Sequence, residues 1–410
     1  MGNVRDAVVV GGGPAGSFCA WELAKRDVDV AVFEEHAEVG VPSHCAGHLS
    51  IRSLRGLGLY PLPEGIVENE FSAANFHSPR GARFSVRLAK PVTCVVNRKL
   101  FDRYLAQRAE AAGARYQLNS RVQSLIVDKG IVRGVNVVGG NAAEQQVQAK
   151  IVVDAEGISS RFLKQVGLPA LRREGLVYAV EAEVDNVKDA EQDAVEVYLG
   201  SEYAPGFYGW LIPRRDGTAK VGLAARKGNP KVFLQRLMHS HPVASKQLGA
   251  ARVTRMAFHA ISLGGPVEKA YSDGFLAVGD CASQVKPTTG GGVVFSLTCA
   301  KIAAEVASEG LRRNDLSAEF LRFYQKRCEE KLGFDIRIML KIRRFLNGLS
   351  DARLDRALQF AASSGLDKAL RNVDEIDFQG RMLLTLLKKP TAFAALAHFF
   401  MLLLYPDRQS

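Results

Sequence analysis

The chain has 410 residues, 47% hydrophobic and 24% charged, with a formal net charge of +11. That balance suits a soluble protein of two or three domains. Six cysteines (19, 45, 94, 281, 299 and 328) lie scattered without a C-x-x-C pair, which argues against a zinc ribbon or a disulfide framework. The segment from Leu311 onward holds 18 Lys and Arg against 12 Asp and Glu, a net +6. No aromatic-rich recognition module accompanies this charge, so nucleic acid is not expected. An anionic membrane surface or a phosphorylated substrate accounts for it.

Val8-Val9-Val10 runs straight into Gly11-x-Gly13-x-x-Gly16, and a helical pattern follows (Ala20, Leu23, Ala24). A second apolar run, Val28 to Phe33, ends in Glu34. Gly11 permits a tight turn, Gly13 lets a pyrophosphate approach the backbone, and Gly16 lets the helix pack on the strand. The helix N-terminus offers free N–H groups, and Glu34, about 20 residues on, can accept from a ribose hydroxyl. The unit therefore predicts an adenine dinucleotide site. It begins almost at Met1, which leaves no room for a leader and points to the cytoplasm; Asp6 stands where a myristoylation site wants Ser or Thr.

A loop, Val41-Pro42-Ser43-His44-Cys45-Ala46-Gly47-His48, comes next. A helix then follows Arg98, with Leu100, Tyr104 and Leu105 on one face. His44-Cys45-x-x-His48 is an incomplete ligand set, so no metal is expected. Val122–Val127 and Ile131–Val138, joined by Asp128-Lys129-Gly130, read as a β-hairpin. Ile151-Val152-Val153-Asp154-Ala155-Glu156-Gly157 is a buried strand ending in an acidic turn. Alternation between about Leu176 and Ala225 implies an antiparallel sheet. Phe275 to Asp280 returns to the buried-strand pattern, before a Pro-Thr-Thr-Gly-Gly-Gly turn and a long apolar helix. The interleaving predicts an α/β protein: one Rossmann-type nucleotide domain from separated segments (1–75, 93–165 and 272–310), an inserted antiparallel sheet (76–92 and 166–271) and a helical region (311–410).

These residues resemble the flavoprotein monooxygenase-like superfamily, in which p-hydroxybenzoate hydroxylase-like members hold FAD with three motifs. The first is Gly11-x-Gly13-x-Ala15-Gly16 with Glu34. The second is Asp154-x-x-Gly157, with Ser159, Ser160 and Arg161 after it. The third is Gly279-Asp280 with Pro287 and Gly290, Gly291 and Gly292. Within it the chain is most similar to the geranylgeranyl reductase family. Its Pro-x-x-Cys-x-Gly loop matches Pro42 to Gly47. Its Tyr-x-Trp-x-Phe-Pro-Lys motif matches Tyr208-Gly209-Trp210-Leu211-Ile212-Pro213-Arg214, with Ile212 for Phe and Arg214 for Lys.

The resemblance implies an enzyme that saturates isoprenoid double bonds with electrons from FAD, on a prenyl lipid or prenyl diphosphate. An isolated alkene has no carbonyl to stabilise developing charge, so one carbon must gain a proton while the other gains hydride. The resemblance puts Cys45, Ala46 and Gly47 beside the flavin, with Cys45 as proton donor; a water or Tyr208 is the other choice. It puts Arg98 on a cofactor phosphate or ribose, Asp280 near the ribityl–pyrophosphate region, and the helix after Gly292 pointing at the flavin. Strand alternation sets Tyr208, Trp210 and Ile212 on one side, where flat rings suit a prenyl chain. The electron donor, NAD(P)H, ferredoxin or similar, has no motif of its own. Arg337, Lys341 and Arg344 form a cationic stripe. The apolar run Thr391–Tyr405 is about 15 residues, short of a span, and reads as an interfacial anchor or a helix closing the substrate tunnel. The competing reading is a flavin monooxygenase or halogenase on an apolar or aromatic substrate, for which Trp210-x-Ile212-Pro213 is half a motif.

Overall fold

The computed structural model describes residues 4–139, 144–371 and 375–388. The chain divides into two compact units. The first comprises Met1–Ser43, Arg98–Gly175 and Ser262–Ile336; the second comprises His44–Asn97, Leu176–Ile261 and Arg337–Ser410.

In the first unit five parallel strands stand in the order Phe275–Ala277, Gln145–Asp154, Arg5–Val10, Val30–Phe33 and Arg115–Gln117. Val8, Val9, Val32, Val152 and Val153 are wholly buried. Parallel strands covered on both faces need this kind of unbroken β-branched run. The helix Pro14–Ala24 packs against Arg98–Ala111 and against Val293–Arg313. An antiparallel hairpin, Ser120–Asp128 with Ile131–Gly139, joins the sheet through Gln145–Asp154. Its turn places Lys129 and Gly130 at φ 48 and 82, the left-handed pair a tight hairpin requires.

The second unit holds a seven-stranded sheet ordered Arg252–Ser262, Leu176–Asp185, Ala219–Ala225, Gly209–Pro213, Ala194–Tyr198, Ala73–His77 and Arg83–Arg87. Leu176–Asp185 through Ala194–Tyr198 run antiparallel, and Ala194–Tyr198 lies parallel to Ala73–His77. Leu211, Val221, Leu223, Val180 and Tyr198 face Leu234, Leu237 and Met238 of the helix Pro230–Ser240. Val195 and Ile212 point to the other face and pack with Phe71 and Val95. A small sheet of His48–Ser50, Thr93–Val96 and Val67–Phe71 completes the unit.

Three expectations change. Contacts put residues 44–75 with the antiparallel sheet rather than the nucleotide domain, because Val67–Phe71 and Thr93–Val96 pair there. The C-terminal helices divide at Ile336 and Arg337 instead of forming a domain of their own. The helix Arg98–Ala111 buries Phe101, Leu105 and Ala109, whereas Leu100 is exposed; the apolar face is rotated by one residue from the expected one. The run Thr391–Tyr405 lies outside the described residues.

Candidate functional site

The glycines of the first unit are set by close approaches. Gly11 has φ 95, and a Cβ there would lie 2.5 Å from the Ala155 carbonyl oxygen; one on Gly16 would lie 1.9 Å from that of Gly11. No side chain fits either place. Gly13 stands at the N-cap of Pro14–Ala24 with no side-chain cap, and nothing lies within 4 Å of where its Cβ would be. The open space at Gly13 leaves room for a group to approach the helix start, which is what a pyrophosphate needs. Glu34 is nearly buried; one oxygen accepts from Gly12 N at 2.7 Å, the other from His36 N at 3.0 Å and from His36 Nδ1 at 2.5 Å. These bonds hold the carboxylate at the end of Val30–Phe33.

Asp154 is fully buried at the end of its strand. One oxygen accepts from Glu156 N at 3.0 Å, and the Cys281 thiol lies close to the same carboxyl. Burial, with Glu156 nearby, pushes its carboxyl well above the usual range. Gly157 turns the chain at φ 76. Sequence reasoning passed over Glu156, whose carboxylate accepts from Ser159 Oγ at 2.7 Å, Arg161 Nε at 2.9 Å and Phe162 N at 3.0 Å. Its signal was its place inside the Asp154-x-x-Gly157 turn.

Gly279 has φ 85, and its Cβ would meet that of Ala15 at 3.1 Å, so the first and third motifs pack on each other. Gly290 N bonds Lys286 O at 2.9 Å and Lys286 N bonds Gly291 O at 3.2 Å, closing the glycine turn. Gly292 then caps the helix Val293–Arg313 without a side-chain bond, and its Cβ would lie 3.0 Å from Asp280 Oδ1. A carboxylate and an uncapped helix start thus sit together. Arg98 makes a two-point pair with Asp102, 2.9 Å at each oxygen, which fixes its guanidinium at the start of Arg98–Ala111. The uncapped helix start with open space at Gly13, the Glu34 carboxylate held at its strand end and the Asp280 carboxylate beside the start of Val293–Arg313 fit a dinucleotide; Asp154, wholly buried, supports its turn from inside.

In the second unit, Cys45 is half-buried, and its neighbours are held. Gly47 has φ 72, and its carbonyl accepts from Val96 N at 2.9 Å. Ala46 packs beside Phe71, Val95, Val195, Val197, Trp210 and Ile212. The loop motif and the Trp-x-Ile-Pro strand thus share one apolar cluster. Trp210 lies across Gly222, where a Cβ would fall 2.5 Å from Cζ2. Pro213 is buried, and its carbonyl accepts from Asn69 Nδ2 at 3.1 Å. Tyr208 stands one residue ahead of the strand Gly209–Pro213; it stacks on Phe207 at 4.4 Å and meets Trp210 edge-on at 6.0 Å. Burial pushes its phenol up to about 12, against the pull of Arg343. Arg343, itself brought down to about 10 by burial, lies over Phe207 at 4.5 Å and donates to Gly206 O.

Arg214, the departure from the reductase motif, pairs with Glu183 at 3.1 Å and Glu68 at 3.4 Å and donates to Thr218 Oγ1 at 2.7 Å. Lys220, which sequence reasoning missed, is buried and pairs with Glu68 at 2.8 Å. Its signal was a lone charge in the small-residue strand Ala-Lys-Val-Gly-Leu-Ala-Ala.

Comparison with known proteins agrees with this geometry. The FAD binding domain family matches residues 5–301. Digeranylgeranylglycerophospholipid reductase 2 of Methanopyrus kandleri is 37% identical over 356 residues, covering 85% of this chain and 88% of that protein. A geranylgeranyl bacteriochlorophyll reductase-like protein from Thermoplasma acidophilum aligns with a TM-score of 0.86 at 27% identity, over 97% of this chain and 99% of that one. A flavin-dependent brominase, with a TM-score of 0.73 and 20% identity over 97% of this chain and 99% of its own, shares the fold alone. The cofactor is FAD, and the chain belongs to the digeranylgeranylglycerophospholipid reductase family.

Proposed function

We propose that this protein is an FAD-dependent reductase that saturates the isoprenoid double bonds of a geranylgeranyl lipid. The observation that carries the reading is the single apolar cluster that joins Ala46, next to Cys45, with Trp210 and Ile212. A thiol on a fixed loop beside flat and branched apolar side chains is what protonation of an unactivated alkene asks for. The curated relative's name supports the same substrate class.

FAD, when bound, supplies the hydride. The backbone at Gly11, Gly13, Ala15 and Gly16 receives the pyrophosphate, Glu34 a ribose, and Arg98 a phosphate or ribose. Gly157, Gly279 and Asp280 hold the rest of the cofactor, and the buried Asp154 shapes the turn behind them. The helix start after Gly290, Gly291 and Gly292 presents its positive end to the cofactor's negative charge. Cys45 gives its Sγ proton to the alkene carbon opposite the one that receives hydride; the thiolate regains a proton from water, which reaches this half-buried loop. Tyr208 and Trp210 support the prenyl chain and Ile212 walls it, while Pro213, turned to the opposite face, ends the strand. The electrons come from an external reductant such as NAD(P)H or ferredoxin.

Among the described residues no helix is long and apolar enough to cross a membrane. Arg337, Lys341 and Arg344 are exposed on the helix Phe334–Asn347, with Leu346 exposed beside them. We read this cationic stripe as a peripheral contact with anionic lipid for a cytoplasmic protein, since its substrate resides in a bilayer.

The test offers the dithionite-reduced protein three acceptors under argon: a digeranylgeranylglycerol phospholipid, geranylgeranyl diphosphate and geranylgeraniol. Reoxidation of the flavin by at least one, with a product heavier by about two mass units for each bond reduced, is expected. Reoxidation by none of them, with substrate-dependent oxygen consumption in air, transfers the protein to the monooxygenase or halogenase reading.

A further inference from the structure

The apolar face that carries Trp210 and Ile212 contains one ammonium. Ile212 and Lys220 are directly paired across antiparallel strands, as are Trp210 and Gly222, so all four residues point to the same face. An unbranched apolar side chain such as methionine would serve packing alone, and a buried charge needs compensating partners. Lys220 has three. Its Nζ donates to the carbonyl oxygens of Ala46, at 3.2 Å, and Val96, at 3.1 Å, and pairs with Glu68 at 2.8 Å. The Val96 N–H in turn donates to Gly47 O at 2.9 Å. The residues just after Cys45 are therefore tied twice. On its other side, the His44 ring stacks on His259 with centroids 4.2 Å apart and planes 25° apart. Cys45 is thus the half-exposed residue between two held neighbours.

We propose that Lys220 is a positioning residue: its ammonium clamps the Cys45-Ala46-Gly47 backbone and so sets the place of the Cys45 thiol. This extends the reading of Cys45 as proton donor and rests on it for its catalytic consequence, but the clamp itself is separately measurable. Glu68 keeps the ammonium in place from behind, and Arg214, at 3.4 Å from the other Glu68 oxygen, holds Glu68. The arginine that replaces the lysine of the reductase motif thereby joins the same support rather than the substrate face.

The experiment uses the full-length, FAD-loaded protein carrying Cys328→Ser, because Cys19, Cys94, Cys281 and Cys299 are buried and only Cys45 then reacts with a maleimide. Lys220→Met should change the maleimide rate at Cys45 several-fold and lower kcat by about 10²-fold, the usual consequence of misplacing a reacting group by an ångström. KM and FAD content should stay near the parent's. Lys220→Gln, which keeps a donor for one carbonyl, should fall between the two and guards against a Met variant that does not fold. The double variant Glu68→Gln/Lys220→Met separates clamping from charge balance. If the double variant recovers kcat and the parent maleimide rate, Lys220 only neutralises Glu68 and the proposal is wrong. A folded Lys220→Met protein with the parent rate overturns it as well. A changed maleimide rate, together with full activity of Cys45→Ala, leaves the clamp standing and removes Cys45 as the donor.

Discussion

Gly222→Ala probes the apolar face through a single methyl group. In the native protein a Cβ at 222 would lie 2.5 Å from Trp210 Cζ2, 2.7 Å from Trp210 Cε2 and 2.6 Å from the Val180 carbonyl oxygen. Carbon atoms rest at about 3.5–4.0 Å, so the indole must move by about 1 Å or more. Val180 cannot yield in its place, since its strand Leu176–Asp185 is paired with Ala219–Ala225, residue 180 opposite Leu223. Overpacking of this kind costs about 1–3 kcal/mol. For a unit of this size that is roughly 2–12 °C in Tm. Differential scanning fluorimetry checks the stability, and steady-state kinetics with a geranylgeranyl lipid checks the site. The Tm should fall within that range, KM should rise severalfold as the indole leaves the face, and FAD should stay bound because the dinucleotide glycines are untouched. A variant with the parent's Tm and KM would show that Trp210 does not rest on Gly222 and would refute the reasoning.

Other substitutions test other parts of the account. Gly16→Ala places a methyl 1.9 Å from the Gly11 carbonyl oxygen, so the purified protein should lack FAD, as the loss of its visible flavin absorbance will reveal. Cys45→Ser keeps the loop but supplies a far weaker acid; kcat should drop by about 10²–10⁴-fold with FAD content unchanged, the range expected for loss of a general acid. His241 tests a buried imidazole. Its Nε2 donates to Ser78 O at 3.1 Å while Nδ1 accepts from Val243 N and Ala244 N, each at 3.2 Å, so the ring is neutral. Burial brings its pKa from 6.5 down to about 4. The unfolded chain takes up this proton first, so the contribution is full above pH 6.5 and is lost as pH falls toward 4. The slope is about 1.4 kcal/mol per pH unit. Urea midpoints between pH 7 and 4 should therefore fall more steeply for the parent than for His241→Gln; parallel curves would contradict this.

The nucleotide fold was legible because its glycines answer local demands. Gly11 and Gly16 sit where backbone comes too close for a side chain, and Gly279 where the Ala15 methyl does. Val8 to Val10 and Ile151 to Val153 announced a sheet covered on both sides. Trp210 and Ile212 share a cluster as their period of two implied, while Tyr208 falls outside the strand and takes its place from Phe207 and Arg343. What could not be read depends on register. Gly222 matters only because it lies opposite Trp210, and Lys220 because it lies opposite Ile212. Neither pairing is visible from one strand alone. The allegiance of residues 44–75 was hidden for the same reason, since Val67–Phe71 and Thr93–Val96 are short strands whose partner decides their unit.

The central claim is that this protein reduces carbon–carbon double bonds, and stoichiometry tests it most directly. The holoprotein is reduced anaerobically, mixed with a limiting digeranylgeranylglycerol phospholipid, and followed by flavin absorbance while the lipid is extracted for mass spectrometry. The account predicts that each reduced flavin consumed adds about two mass units to the lipid, the sum of one hydride and one proton. Unchanged lipid under argon, with an oxygenated or halogenated product appearing only when air is admitted, would contradict it.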